Sequence, residues 1–266
     1  MSNITQHTGK VILAGAGCGD PELITVKAAK YLQQADVVLT DRLVSEEILN
    51  AYVKPGTEII RVGKQYNKDA SLQQQEINKL LVKYAAAHQL VVRLKGGDVS
   101  FFSNILDELQ TLKDNNIPFE IIPGVTAASG AASYAGIPLT ARGHATSVRF
   151  LTSYKKDIVT NDYWKELAAT TDTLVFYMSS ETLANVVENL LANGISNDKL
   201  LAVIEQATTP QQHVTVSSLC DYDKNISGKQ FSSPSLVIIG KVVALHNKFA
   251  WLPNSHGKTE LYFKPI

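Results

Sequence analysis

Cysteine is scarce in this chain: Cys18 and Cys220 are the only two in 266 residues. So distant a pair makes neither the regular framework of a disulfide-stapled secreted domain nor a metal-ligand pattern, and no metal is assigned. An excess of charge of either sign is also missing, with 25 basic and 25 acidic side chains. A general nucleic-acid coat would need a basic surplus, so nucleic acid is not an expected partner. Net charge says nothing of placement, however, and a local basic pocket for an acidic small molecule stays open. No apolar run approaches the roughly 20 residues that span a bilayer, and residues 1–10 lack the apolar centre of a signal peptide. The chain is therefore expected to be cytoplasmic and soluble, with no membrane partner.

What is present is a generous supply of core. Apolar residues make up 45% of the chain and are spread along it as short runs rich in Val, Ile and Leu, alternating with segments of helical period. Strands are expected at 11–14, 36–40, 90–94 and 119–122, then at 148–152, 173–178, 200–204 and 236–239. Several lack polar alternation, which suits strands covered on both faces. Residues 71–87 read as a helix, with Ser71 and Gln74 at capping-box spacing and Ile77, Leu80, Leu81 and Tyr84 on one stripe. Residues 180–193 read as another, with Gly194 as its C-terminal stop. Strands alternating with helices imply a largely parallel sheet in each half. The fold class is thus α/β, with an N-terminal lobe over 1–136, a C-terminal lobe over 137–250 and a loosely ordered tail over 251–266. The stretch 123–140, dense in Gly, Ala and Ser, is read as a small-residue helix plus the connection between lobes.

Two glycine turns follow expected strands. The first is Gly15-Ala16-Gly17-Cys18-Gly19-Asp20-Pro21, where missing Cβ atoms let a ligand approach the backbone. Its GxGxG spacing departs from the GxGxxG of a dinucleotide fold, and alone it is weak evidence for a nucleotide-like ligand. The second is Lys95-Gly96-Gly97-Asp98, and two such turns at strand ends of one sheet would form one crevice. Asp41 sits just past the second strand and Lys64 ends another short apolar stretch. An acid and a lysine near one cleft can move protons or bind an anion, yet taken alone they read as surface charges, as do Arg142 and Arg149. His144 and His213 are lone histidines without metal-ligand partners.

Together these segments resemble the uroporphyrinogen-III C-methyltransferases within the wider tetrapyrrole methylases. The resemblance runs from about residue 10 to 253. Its carriers are GAGCGDPELIT at 15–25, ADVVLTDRLVS at 35–45, VGK at 62–64 and VVRLKGGD at 91–98. They continue with IPFEIIPGVTAASGAASYAGIPLTARG at 117–143, LVFYM at 174–178, TTPQQHV at 208–214 and SLVIIGKVVAL at 235–245. The resemblance implies two α/β lobes with S-adenosylmethionine in the cleft between them, a homodimer, and methylation of uroporphyrinogen III at carbons 2 and 7 to give precorrin-2 for siroheme and cobalamin synthesis. It implies Asp41 as proton acceptor and Lys64 as proton donor. Cofactor contacts fall on Cys18, Gly96, Gly97, Asp98, Phe101, Thr126, Ala127, Met178 and Ala207, and Arg142 matches an arginine of the family's substrate region. It also implies that the dehydrogenase–chelatase domain fused to some relatives would reside on another protein.

The chain departs from that pattern in four places. Cys18 replaces the proline of a GPGD loop. The GGDP and FGRGGEE stretch becomes GGDVSFFSNILDEL, so Asn104 replaces an arginine and Ile105-Leu106 replace two glycines. YMG becomes Tyr177-Met178-Ser179, and the EXGTT stretch carries Ala207 in place of glycine. Losing an arginine where a polyanionic acceptor is expected is not conservative. Two other readings therefore stay open: a different small-molecule acceptor, and a non-catalytic relative that binds a tetrapyrrole or nucleotide.

Overall fold

The computed structural model describes residues 9–63, 70–152, 160–255 and 261–263. The chain divides into two compact units, Met1–Thr126 with Phe263–Ile266, and Ala127–Tyr262.

The first unit carries β1 (Lys10–Gly15), α1 (Val26–Leu32), β2 (Val37–Thr40), α2 (Glu46–Tyr52), β3 (Glu58–Arg61), α3 (Ala70–Ala87), β4 (Leu90–Lys95), α4 (Ile105–Asp114) and β5 (Phe119–Ile122). The strands form one sheet in the order β3-β2-β4-β1-β5, every pair parallel. The reason lies in the connections: each passes through a helix or long crossover, which returns the chain to the same sheet end. Ile12, Ala14, Val38, Val92 and Leu94 pack with α1 and α2 on one face. Val11, Leu13, Leu39 and Val91 pack with Ile77 and Leu81 of α3 and Leu112 of α4 on the other. With helices on both faces, the central strands are buried throughout, which explains their unbroken Val, Ile and Leu runs. The expected helix at 71–87 is present and starts at Ala70.

The second unit contains α5 (Ala127–Tyr134), β6 (Val148–Thr152), α6 (Asn161–Ala169), β7 (Thr173–Tyr177), α7 (Leu183–Ala192), β8 (Leu200–Glu205), β9 (His213–Ser218) and β10 (Ser235–Gly240). Its sheet runs β6-β7-β10-β8-β9, and here the expectation of a largely parallel sheet fails. Only β6 and β7 are parallel. The β7–β10, β8–β10 and β8–β9 pairs are antiparallel, because β8 and β9 are joined by a short turn instead of a helix and β10 inserts between β7 and β8. The helix expected at 180–193 starts later, at Leu183, and ends as anticipated. Gly194 has φ 76°, with Gly194 N–H donating to Leu191 and Ile195 N–H to Leu190 at 3.0 Å each, the Schellman pattern. α6 and α7 cover one face of the sheet, while α5 and the 241–245 turn cover the other. Ala128, Ala131 and Ala132 of α5 pack on Val175, Ile204 and Ile238 within the second compact unit.

The expected looseness after Trp251 does not hold for residues 251–255. Trp251 donates from its indole to Ser133 at 2.9 Å. Asn254 pairs in both directions with the Val214 main chain, acting as an extra rung on the edge strand β9.

Candidate functional site

In the first sheet, β1 and β4 are neighbours whose following helices lie on opposite faces. At such a switch point the connections part and leave a crevice at the carboxyl ends of the strands. Both glycine turns lie there. Gly17 and Gly97 form an antiparallel bridge, with hydrogen bonds of 3.1 and 2.6 Å. Gly15, Gly97 and Gly124 meet backbone to backbone: a Cβ on Gly15 would stand 2.6 Å from the Gly97 carbonyl and 2.7 Å from the Gly124 nitrogen. Asp98 is buried and fastens the turn, accepting from Gly124 N–H at 2.8 Å and Ser100 N–H at 2.7 Å. Ser45, which caps α2 through Ile48 N–H, also donates to the Gly19 carbonyl at 3.3 Å. The loop is thereby tied to the start of a helix.

Asp41 follows β2 at the edge of this crevice. Its Oδ1 accepts from Leu43 N–H at 3.0 Å and Gly96 N–H at 3.3 Å, which joins the acid to the second glycine turn. Its Oδ2 lies 3.9 Å from Nη2 of Arg93.

Behind Asp41 is a group that sequence reasoning missed as a site. Arg93 and Lys95, two apart on β4, point to the α4 side and are 3% and 4% exposed. Both reach the same oxygen, Oε1 of fully buried Glu108 in the first turn of α4, at 3.2 and 3.0 Å. Arg93 also donates to the Leu39 and Leu94 carbonyls. Burial pushes the Lys95 amine below its ordinary value, although the Glu108 carboxylate pulls the other way. Glu108 Oε2 has no hydrogen-bond partner among the described residues. Removing one member of such a buried pair costs about 3–5 kcal/mol, because the partner charge is stranded. The sequence offered only a partial signal, two cations inside an apolar central strand; that Glu108 of α4 answers them shows only in the fold.

In the second unit the candidate residues gather at the sheet edge where β7 and β8 end and β10 begins. Met178 follows β7 with φ 52° and a half-exposed side chain. Ala207 lies between Gln206 (φ 44°) and Thr208 (φ 67°). Left-handed non-glycine residues cost of order 1–3 kcal/mol each and persist where surrounding contacts dictate them. Those contacts are present: Thr208 N–H donates to Gln212 Oε1 at 2.9 Å and Gln206 N–H to the Pro234 carbonyl at 2.8 Å. Ala127 opens α5, and the next amide, Ala128 N–H, donates to the Tyr177 hydroxyl at 3.0 Å. The helix start is thus tied to the Met178 turn.

The structure therefore brings Cys18, Asp41, Gly96, Gly97 and Asp98 to one end of the first sheet. Exposed Phe101 and half-buried Thr126 lie in the same unit. Ala127, Met178 and Ala207 lie together in the second. Arg142 is exposed on the turn closed by the Ala141–Ala145 bridge. Lys64 lies outside the described residues. The left-handed positions in the altered 99–107 stretch are Phe102 (φ 52°) and Asn104 (φ 54°), while Ile105 and Leu106 begin α4 in ordinary helical geometry. Cys18 and Cys220 form no disulfide. Among the described residues no cluster of His, Cys, Asp or Glu has metal-binding geometry, and no helix is long and apolar enough to cross a membrane.

Comparison with known proteins gives this geometry its family. The model of the tetrapyrrole (corrin/porphyrin) methylases matches residues 10–222. A siroheme synthase of Azotobacter vinelandii is 46% identical over 243 residues, covering 91% of this chain and 52% of the relative; the chain spans about half the length of the curated relatives it matches. A solved uroporphyrin-III C-methyltransferase from Thermus thermophilus is 34% identical with TM-score 0.74, covering 93% of this chain and 98% of that one. Another structure of a Thermus thermophilus uroporphyrin-III C-methyltransferase, complexed with S-adenosylhomocysteine, is 34% identical with TM-score 0.73, covering 88% and 93%. With a family model matching residues 10–222 and a mixed α/β architecture shared with these enzymes, the chain belongs to the tetrapyrrole methylases.

Proposed function

We propose that this chain transfers methyl groups from S-adenosylmethionine to carbons 2 and 7 of uroporphyrinogen III, giving precorrin-2, and that it works in the cytoplasm as a homodimer. The observation that carries the reading is the Asp41 carboxylate hydrogen-bonded to the Gly96 main chain at the mouth of a glycine-lined crevice, in a chain of this family. The residues suit an adenosyl ligand: partly accessible main chain at Gly96 and Gly97, half-buried Cys18 and Thr126, and an exposed phenyl ring at Phe101. In the first unit, Gly96, Gly97, Asp98, Cys18, Phe101 and Thr126 would hold it; Ala127, Met178 and Ala207 are the positions that the family resemblance adds. When bound, the sulfonium supplies an already activated methyl group. The protein's task is then alignment of donor and electron-rich carbon and removal of the proton that the macrocycle, not the fully substituted methylated carbon, must lose once the new carbon–carbon bond forms. Asp41 accepts that proton on the oxygen not bonded to the main chain, and Lys64 returns one to the macrocycle. Arg142 pairs with an acceptor carboxylate.

One observation favours a second reading, a changed acceptor. Residues 99–107 contain no cation and expose Phe101, Phe102 and Leu106, a surface better suited to apolar substituents than to carboxylates. Calorimetric titration with S-adenosylhomocysteine, followed by uroporphyrinogen III on the same sample, separates the readings. The first predicts saturable binding of both. Cofactor binding alone would favour the changed acceptor, and binding of neither to folded protein would overturn both.

A further inference from the structure

We propose that Glu108 is a positioning residue: by holding Arg93 and Lys95 together behind Asp41, it sets the charge that the proton-accepting carboxylate faces. The inference rests on the role proposed for Asp41 and adds residues that lie behind the site.

The geometry is that of a closed charge set. Asp41 and Glu108 bring two negative charges and Arg93 and Lys95 two positive ones, with Arg93 standing between the two carboxylates. One Glu108 oxygen is shared by both cations, and the whole group apart from Asp41 is almost fully buried. Charges removed from water are weakly screened, so a change at one is felt at its neighbours. Burial also displaces the Lys95 amine downward, which makes it sensitive to whether Glu108 is charged. A proton arriving on Asp41 during turnover leaves the set with one excess positive charge, an imbalance that favours release of that proton and resets the base.

Two of the other charged groups near Asp41 have partners of their own. Asp98, in the turn after β4, is bonded to the Gly124 and Ser100 amides. Arg61, opposite Thr40 on β3, pairs with Glu46. Arg42 adjoins Asp41 in the chain, Asp107 is exposed in the first turn of α4, and Lys64 lies outside the described residues. Among the described residues, a buried cluster beside this acid is made by β4 and α4 alone.

The test compares pH–rate profiles of methyl transfer in the full chain. Glu108→Gln leaves one excess positive charge facing Asp41, so the acid limb of kcat moves down by about one pH unit while KM for the methyl donor changes less than about threefold. Arg93→Gln removes a cation, and the limb moves up by a similar amount. The double variant Lys95→Met/Glu108→Gln restores the balance and returns the limb towards the parent's position. If Glu108→Gln does not fold, as read by circular dichroism, the double variant and Arg93→Gln still carry the comparison. A role in packing alone would lower stability in all three without moving the limb in opposite directions, and that result would overturn the inference. A carboxyl 13C titration, with the Asp41 signal identified by its loss in Asp41→Asn, reads the same displacements without turnover. Opposed displacements there uphold the inference even if the parent enzyme fails to methylate uroporphyrinogen III. That failure would count against the proposed function alone.

Discussion

Asp41 has one oxygen committed to main-chain donors and the other facing an arginine at 3.9 Å, which fixes the orientation of the acid before any acceptor arrives. Asp41→Asn keeps the size and the accepting oxygen but cannot take a proton. We expect kcat to fall about 100-fold or more, within the usual range for a general base, with affinity for S-adenosylhomocysteine changed less than about threefold. Steady-state rates and calorimetry on one preparation check both halves. The glycines beneath the turn make a different prediction. Gly124→Ala would drive a Cβ into the Gly97 carbonyl and the Gly15 main chain. Overpacking of this kind costs about 1–3 kcal/mol. The variant should lose that much stability in urea titration and bind S-adenosylhomocysteine more weakly, because the backbone it displaces is the proposed cofactor cradle.

Elements hold their charges at the margins of each sheet. On β5, Glu120 accepts from Lys10 at 2.7 Å, from Lys27 and from the Tyr31 hydroxyl at 2.6 Å, and these bonds hold its carboxyl at about 2. Just before β7, Asp172 accepts from Ser147 and from Arg149 Nε at 2.5 Å, and is likewise held at about 2. A carboxylate titrating near 4 in the unfolded chain and near 2 in the folded one favours folding fully above about pH 4. That contribution disappears as pH falls from about 4 to 2. Glu120→Gln and Asp172→Asn should each flatten the acid side of a stability–pH curve measured by urea unfolding between pH 5 and 2. An unchanged slope would show that neither network survives in solution. Element types were mostly legible in the sequence, since the Val–Ile–Leu strands of the first unit are buried on both faces and their parallel order follows from the helices between them. Strand direction in the second unit was not. β9 has the period-2 pattern His213-Val214-Thr215-Val216 of an edge strand, yet nothing local shows that β10 inserts antiparallel between β7 and β8. That order is set by pairings 30 or more residues apart in the chain.

At the scale of the whole molecule, the candidate site comes from residues that sequence spacing alone could not unite. The two glycine turns are some 80 residues apart and meet because β1 and β4 are neighbours with helices on opposite faces. The glycine motifs, Asp41 and Met178 were visible through their resemblance to the family. The Arg93–Glu108–Lys95 group was not, because its meaning depends on α4 folding back over β4. If the cradle binds its ligand only when folded, saturating S-adenosylhomocysteine at 100 times its Kd should stabilise the chain by about 2.7 kcal/mol, and Gly124→Ala should lose part of that gain in thermal melts.

The central claim is methyl transfer to a tetrapyrrole, and mass spectrometry tests it most directly. Purified protein is incubated without oxygen with S-adenosylmethionine and uroporphyrinogen III, and the acceptor is weighed over time. The account predicts successive gains of one and two methyl groups that depend on Asp41. Folded protein that binds S-adenosylhomocysteine yet never changes the mass of the acceptor would contradict it.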